Sequence, residues 1–553
     1  MTVAPATVAP ATVLGLPVGL DPRTPVVIGV GEWSERLGDP AYAVLSPVAL
    51  AARAVEQALA DAAPGAGAGA RALRRAVDVV ADIPQFEVST PDAVAPLGRS
   101  DNVPRSVATR TGLRPRHVLT DVAGGQGPQH LVTELAASIA RGDCEVAVAC
   151  GAESLSTMRH LLSRPAAERP SWSEAVGGQH EGRGHGLEGL VDFDDSGQID
   201  APRLYALLER ARQRRLAQAG MDDPDYGASM GELFAPFTRV AAHHPHAALR
   251  ENLSAADLLT VTPRNRMVAE PYPKLLVARD LVNQGAAVIV ASIERAASLG
   301  VPQDRWVYLH GHCDTVERPL LERPDLDAYP AGVAAVRSAL GVAGTGLDEV
   351  RHLDLYSCFP VAVSSVCDGI GLAPDDPRGL TLTGGLPYFG GPGNDYTMHA
   401  IAEAVRRLRC APGDFALTTG NGGVLSKYSV GLWSTTPRAW RPGESAAVQR
   451  RLDAAPTVPH RAPGQHTAPT AGAGIRDGLE TWTITHAKDG AREATLVVRD
   501  ADGVRSMHRT SDPAVLAELT ELAELPELAE LAELTDLTAP PSTAEWSVPD
   551  VGN

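Results

Sequence analysis

The sequence predicts a layered α/β protein of two similarly built halves, with a loop domain inserted in the first and a small all-β module after the second. Three observations predict it. Each half contains a strand that stops at a special residue and runs into an apolar helix. A long polar stretch interrupts the first half. Short strands of alternating apolar and polar residues follow residue 475. At 553 residues and 44% hydrophobic composition the chain has room for several domains and a large core. Only 4% of it is aromatic, so Ala, Val and Leu must do most of the packing.

The elements follow in order. Residues 1–22 read as a disordered tail. Residues 23–300 form the first half, with the insertion at about 155–260. Pro25 to Val30 is a short buried strand. Ser46-Pro47 starts a helix, with Ser as N-cap and Pro at the first helical position, and Ala49, Ala52, Val55 and Leu59 give it an apolar stripe. The small residues from Gly65 to Ala70 read as a linker before a strand at Val77–Ala81. His117 to Asp121 is a strand, Gly124-Gly-Gln-Gly127 a tight turn, Pro128 to about Arg141 a helix, and Cys144 to Ala149 another strand. That order implies a parallel α/β layer with the turn at a strand's C-terminal end, where a helix start offers free N–H groups to an anion or a carbonyl oxygen. The insertion is Gly- and His-rich, then helical from Ala201 to Ala219. Residues 301–441 form the second half. Its strands are Arg305–His310, His352–Tyr356 and Phe415–Thr418, a helix runs from Pro360 to about Ile370, and Asn421-Gly-Gly423 is a turn. Residues 442–475 read as a linker. Residues 476–515 are the β module, with hairpin turns at Asp489-Gly490 and Asp502-Gly503. Residues 516–553 are a low-complexity acidic tail with a leucine at every third position from Leu516 to Leu537. Each such leucine falls about 60° behind the last on an α-helix, so the stripe winds around, and only a short helix is expected at its start.

The formal net charge of −18 argues against nucleic-acid or anionic-membrane partners. The five arginines between Arg203 and Arg215 read as a solvated helix face. Six scattered cysteines form no CxxC pair, which points away from a disulfide framework or zinc site. The start lacks the pattern of a signal peptide, and no stretch has the length of a membrane span, so a cytoplasmic protein is expected. Gly29 and Gly31 make a GxG that lacks the rest of a dinucleotide loop.

Four segments occur in order: Ala123-Gly-Gly-Gln-Gly-Pro-Gln129, Asp354-Leu-Tyr-Ser-Cys-Phe-Pro360, Gly384-Gly-Leu-Pro-Tyr-Phe-Gly-Gly-Pro-Gly-Asn394 and Gly420-Asn-Gly-Gly423. Val282-Asn-Gln-Gly-Ala-Ala287 adds a small-residue turn ahead of a strand. Together they resemble the thiolase superfamily over about residues 23–440, in its sterol-carrier-thiolase-like and actinobacterial thiolase-like branches (the acetyl-CoA acetyltransferase family). The resemblance implies duplicated α/β/α/β/α layers and acyl-CoA chemistry with coenzyme A as substrate or ligand and no permanent cofactor or metal. It also implies a cysteine nucleophile at a helix start, where the helix dipole lowers the thiol pKa. This sequence departs from that pattern. Gly124 stands where the nucleophile is expected, Tyr356 where an oxyanion Asn or His is expected, and Gly391 where a glycine-flanked His is expected. No cysteine lies around Thr419 to Gly423, and Cys358 falls where that branch has a cysteine that is not the nucleophile.

Thiolase-like aldolases of sterol side-chain breakdown are similar in lacking the cysteine and in using tyrosine, with a small OB-like partner; the β module resembles such a partner fused in cis. Tyr356 is therefore the leading catalytic candidate, set against a core tyrosine with a satisfied hydroxyl, and His399 is a second, set against an ion pair with Asp395. Gly124, Gly125, Gln126, Gly127, Tyr388, Gly390, Gly391, Asn394, Asp395, Asn421, Gly422 and Gly423 are expected to line the substrate or oxyanion site. His243 and His244, in a loop cluster with His246, and Lys427 are expected at bound CoA. His310 to Asp314 is read as packing. Two functions stay open: carbon–carbon bond chemistry beside an acyl-CoA without an acyl-enzyme, and a catalytically inactive acyl-CoA-binding or scaffold protein. A homodimer, a monomer with its fused module and an acyl-carrying protein partner are each compatible.

Overall fold

A computed structural model describes residues 16–63, 67–89, 94–186, 200–221, 223–461 and 478–524. The tail up to residue 15 and the leucine repeat beyond residue 524 lie outside the described residues. Leu16 and Leu20 already pack on the first-half core, so the expected tail is shorter than 22 residues.

The first half supplies strands β1 (Pro25–Ser34), β2 (Val79–Asp82), β3 (His117–Thr120), β4 (Val146–Ser154), β5 (Glu181–Gly182), β6 (Met267–Ala269), β7 (Tyr272–Pro273) and β8 (Asn283–Ser292). Its helices are α1 (Pro47–Ala62), α2 (Ala68–Ala76), α3 (Val103–Arg110), α4 (Gly127–Arg141), α5 (Leu155–Leu162), α6 (Ala201–Gln218), α7 (Asp223–His243), α8 (Ala255–Leu259) and α9 (Ile293–Ser298). The second half adds β9 (Val307–Val316), α10 (Pro330–Ala343), β10 (Val350–Asp354), α11 (Pro360–Ile370), α12 (Tyr396–Cys410), β11 (Phe415–Gly422), β12 (Lys427–Ser434) and α13 (Ser445–Asp453). The module contributes β13 (Leu479–His486), β14 (Arg492–Arg499), β15 (Arg505–Thr510) and α14 (Pro513–Glu524).

The duplication is visible in topology. The main sheet runs β10-β11-β12-β9-β1-β8-β4-β2-β3-β5. In the first half β1 and β8 are antiparallel, β8 and β4 antiparallel, and β4 and β2 parallel. In the second half β9, β12, β11 and β10 repeat that order and those senses. The halves join at β1 and β9 through only two residue pairs, Val26 with Tyr308 and Val27 with Val307. Helices α4 and α12 pack against strands of both halves, so they form a central layer between the two facing halves of the ten-stranded sheet. Helix α1 covers the outside of the first and α10 the outside of the second. Five layers result.

Local signals set these elements. The Ser46 hydroxyl accepts from the Ala49 N–H at 3.2 Å and starts α1. Helices α4, α10 and α11 each stop at a glycine in the left-handed conformation: Gly142, Gly344 and Gly371. Several expectations are corrected. The small-residue run at Gly65–Ala70 ends inside α2. Val282–Ala287 is the start of β8 and not a turn; its residues are small because a Cβ on Gly285 would stand 2.8 Å from the Ala152 Cβ. The strand expected at Arg305–His310 continues to Val316, and Asn421 and Gly422 belong to β11, with the hairpin bend moved to Gly423–Ser426. Residues 442–475 are not linker throughout, because α13 lies within them.

The β module is not self-contained. Its three strands form an open five-stranded antiparallel sheet with β6 and β7 of the first half, joined where Thr485 pairs with Ala269. Leu516, Leu519 and Leu522 of α14 are buried on it with Trp482 and Leu496. Three successive leucines span only about 120° of a helix, which is why the winding stripe can still bury its start. Helix α6 is clamped between this sheet and the second half. Its arginines do not form a solvated face: Arg203, Arg210 and Arg212 are buried, pairing with Glu493, Gln213 and Asp368. Among the described residues no helix is long and apolar enough to cross a membrane.

Candidate functional site

The turn before α4 lies directly on β11. Gly124 has φ +127°, a conformation side chains rarely adopt, and its N–H donates to the Asn394 Oδ1 at 2.9 Å. Close approach needs bare backbone on both sides. A Cβ on Gly420 would stand 2.7 Å from the Gly125 carbonyl oxygen, and one on Gly124 would stand 3.2 Å from the Gly422 Cα. The turn is held from behind as well, by Thr397 Oγ1 donating to the Gly125 carbonyl at 2.7 Å. Lys427 Nζ donates to the carbonyls of Ala123 at 2.6 Å and Gly186 at 2.9 Å. That buried clamp, and not a solvent-facing cation, is where the structure places Lys427.

Tyr356 follows β10 and lies over Gly125, where any added Cβ would run into its hydroxyl. Its N–H donates to Thr419 Oγ1 at 2.8 Å, and its ring meets Tyr396 edge-on at 5.5 Å. Among the described residues no hydrogen bond reaches its hydroxyl. Burial holds its pKa well above the usual phenol value, so Tyr356 is neutral and able to donate across the physiological range. Burial also pushes the Cys358 thiol up to about 12, which leaves it without nucleophilic thiolate.

The far side of the cluster is filled by Tyr205 from α6, which sequence reasoning missed. Its hydroxyl accepts from Asn421 Nδ2 at 2.6 Å and donates to the Gly423 carbonyl at 2.9 Å, while its ring stacks on Phe359 at 4.4 Å. Asp354, also missed, accepts from the Leu382 N–H at 2.8 Å and from the Tyr396 hydroxyl at 3.1 Å, fixing the end of β10 against α12. Burial raises its carboxyl to about 6.

The structure thus brings together Gly124, Gly125, Gln126, Tyr356, Asn394, Asn421 and Gly422, with Gly127 opening α4 and Gly423 at the bend. It sends other candidates elsewhere. Gly390 and Gly391 lie along the approach to β8, against Gln284 and Arg279. Tyr388 packs edge-on against Phe234 of α7. Asp395 faces β8, accepting from the Ala286 N–H at 3.1 Å. His399 is wholly buried; its close partner is Glu32 at 2.5 Å, and Asp395 lies at 3.9 Å. Glu32 is itself paired with Arg406, so His399 belongs to the packing of α12 on β1.

The histidine cluster lies at the end of α7 and in the turn that follows it. His243 ends α7 and bonds the Arg239 carbonyl, and His246 Nδ1 meets Ser34 Oγ at 3.0 Å. His244 is buried, and burial lowers its pKa to about 4. Glu32, His244 and Glu403 bring ligand atoms within 4.8 Å of one another, as do Asp121, His130 and Glu134. Their chemistry does not suit a metal. His244 Nδ1 accepts the His246 N–H at 3.2 Å, so the proton sits on Nε2, the atom a metal would need. In each group an arginine, Arg406 or Arg183, already supplies the cation.

No protein-family model and no curated protein matches the chain. Among solved structures it is similar to a monomeric SCP2-thiolase-like protein type 1 from Mycobacterium smegmatis, 43% identical over 92% of this chain and 95% of that one, with a TM-score of 0.72. An Ltp2-ChsH2(DUF35) aldolase, 18% identical over 75% of this chain and 99% of that one, shares the fold with a TM-score of 0.52. So does the dimeric peroxisomal thiolase of Saccharomyces cerevisiae, 13% identical over 75% and 98%, with a TM-score of 0.52.

Proposed function

This chain belongs to the thiolase superfamily, in its SCP2-thiolase-like branch, and from that membership we propose that it binds a coenzyme A thioester at the Gly124–Tyr356–Asn421 cluster and makes or breaks a carbon–carbon bond beside the thioester without an acyl-enzyme. The observation that carries this reading is the pairing of a bare Gly124 with an unpartnered, neutral Tyr356 hydroxyl that lies over the next residue of the turn, Gly125. A glycine offers no nucleophile, and Cys358, the cysteine nearest in sequence to Tyr356, is held as a thiol. A phenol that stays protonated suits donation to a thioester oxygen as it gains enolate charge, which is aldol-type chemistry. Gly125 and Gly422 let the turn, the Tyr356 ring and β11 approach one another closely.

In this reading the protein works as a monomer, as its Mycobacterium smegmatis relative is described. Strand β5 pairs in parallel with β3, Leu119 with Glu181 and Thr120 with Gly182, and so covers that edge of the sheet. The β module acts in cis: its sheet lies between α6 and α14, and Thr481 Oγ1 donates to the Leu207 carbonyl at 2.6 Å, so it supports the helix that carries Tyr205.

The test is Tyr356→Phe. Cleavage of a 3-hydroxyacyl-CoA should fall by about a hundredfold or more, the scale of one lost oxyanion donor, while calorimetric CoA affinity is unchanged. Equal rates would remove Tyr356 from the mechanism. A second reading, acyl-CoA binding without turnover, is favoured by one observation: Tyr356 is 6% exposed and the turn closes on β11. CoA affinity with no turnover in the parent protein would establish it.

A further inference from the structure

Around the turn, the asparagine and threonine side chains are paired. Asn394 bonds Gly124, Pro84 and Ser89; Asn421 bonds Tyr205; Thr418 bonds Gln129; Thr397 bonds Gly125. Gln126 departs from this. Its side chain is 4% exposed, and its Oε1 has no hydrogen-bond partner. It folds back between the two bare backbones: a Cβ on Gly124 or Gly422 would run into this oxygen and stand 3.1 or 3.0 Å from the Cδ behind it. The amide therefore occupies the space into which side chains at those two positions would project, at the start of a fifteen-residue helix.

The orientation of the amide follows from the same contacts. The Cα–H bonds of Gly124 and Gly422 point at this atom, a setting that suits a carbonyl oxygen and repels an amino group. Such contacts are weak, and an acceptor enclosed without an N–H or O–H donor is costly. What is missing beside it is a donor.

We propose that Gln126 Oε1 accepts a hydrogen bond from a hydroxyl on the third carbon of the acyl chain, so that the site selects 3-hydroxyacyl thioesters over 3-ketoacyl and unsubstituted ones. This rests on the reading that the cluster binds a CoA thioester. A 3-keto oxygen is an acceptor and would face Oε1 acceptor to acceptor. An unsubstituted chain would leave Oε1 as it is. Tyr356 and Gln126 then have opposite polarity on either side of Gly125: the phenol donates to the thioester end of the substrate, and the amide accepts from its hydroxyl.

The experiment is calorimetric titration of the full chain with CoA, butyryl-CoA, 3-hydroxybutyryl-CoA and acetoacetyl-CoA, for the parent and for Gln126→Leu. Gln126→Met, unbranched and of similar length, serves if the leucine variant does not fold. The parent should bind 3-hydroxybutyryl-CoA about tenfold more tightly than butyryl-CoA, the scale of one hydrogen bond to a buried acceptor. The variant should lose that preference while butyryl-CoA affinity stays within about twofold or improves. Equal affinities in the parent, or a preference that survives in the variant, would overturn the role of Gln126 and leave CoA-thioester binding standing. Failure of CoA and all three thioesters to bind would overturn the reading beneath it instead.

Discussion

Placing a thiol at position 124 is the most informative single change. A cysteine at the start of α4 would, on general grounds, have a lowered pKa and a free path to nucleophilic chemistry. The geometry predicts that Gly124→Cys does not gain it. Gly124 has φ +127°, and holding a side chain in such a region costs about 1–3 kcal/mol. The new Cβ would displace the Gln126 amide, which can move, and would press on the Gly422 Cα at 3.2 Å, which cannot move without disturbing β11. Overpacking of that kind adds about 1–3 kcal/mol. The variant should therefore unfold at a lower denaturant concentration than the parent, by roughly 2–6 kcal/mol of stability. Gly124→Ala should lose a similar amount. Thiolysis of acetoacetyl-CoA with free CoA, followed by loss of free thiol, should stay at background in both. A Gly124→Cys protein of parental stability that cleaves acetoacetyl-CoA would refute the description of this turn.

Two further predictions concern the frame. Arg505 is 1% exposed and donates to the carbonyls of Leu321 at 3.0 Å and Arg323 at 2.5 Å and to Glu480 at 2.5 Å; Arg505→Ala should cost about 3–5 kcal/mol and make the β module the first site of proteolytic cleavage. Asp82 is buried, and burial pushes its carboxyl up to about 7, so the stability it contributes is present below about pH 4, the unfolded value, and is lost as pH rises through about 7. The stability difference between the parent and Asp82→Asn should therefore decline over that window in pH-dependent melts; a flat difference would contradict the assignment.

What was legible in the sequence was local. The Ser46-Pro47 start of α1, the Gly142 stop of α4 and the hairpin bends at Gly490 and Gly503 are fixed by neighbouring residues, and each lies where its residue types require. The glycines of the turn and of β11 were legible as a set, because four motifs in order point to one fold. What escaped depends on residues far apart in the chain. His399 and its partner Glu32 are separated by 367 positions, and Ser34 and His246 by 212, so nothing near either histidine could show what it pairs with. Lys427 is absorbed by Ala123, 304 residues away. Tyr205 reaches Asn421 only because α6 is pressed inward by a module that begins after residue 475. The start of β8 was misread for a different reason: its small residues are needed for close packing of β4 on β8, and small residues at that spacing resemble a turn.

The central claim is that this chain handles an acyl-CoA at a carbon–carbon bond without a cysteine intermediate. Its most direct test compares two substrates of one chain length on the parent protein: a 3-hydroxyacyl-CoA alone, and the 3-ketoacyl-CoA with free CoA. The account predicts a carbonyl product and a shortened acyl-CoA from the first, and no acetyl-CoA from the second. Release of acetyl-CoA from the ketoacyl substrate, dependent on added CoA, would contradict it.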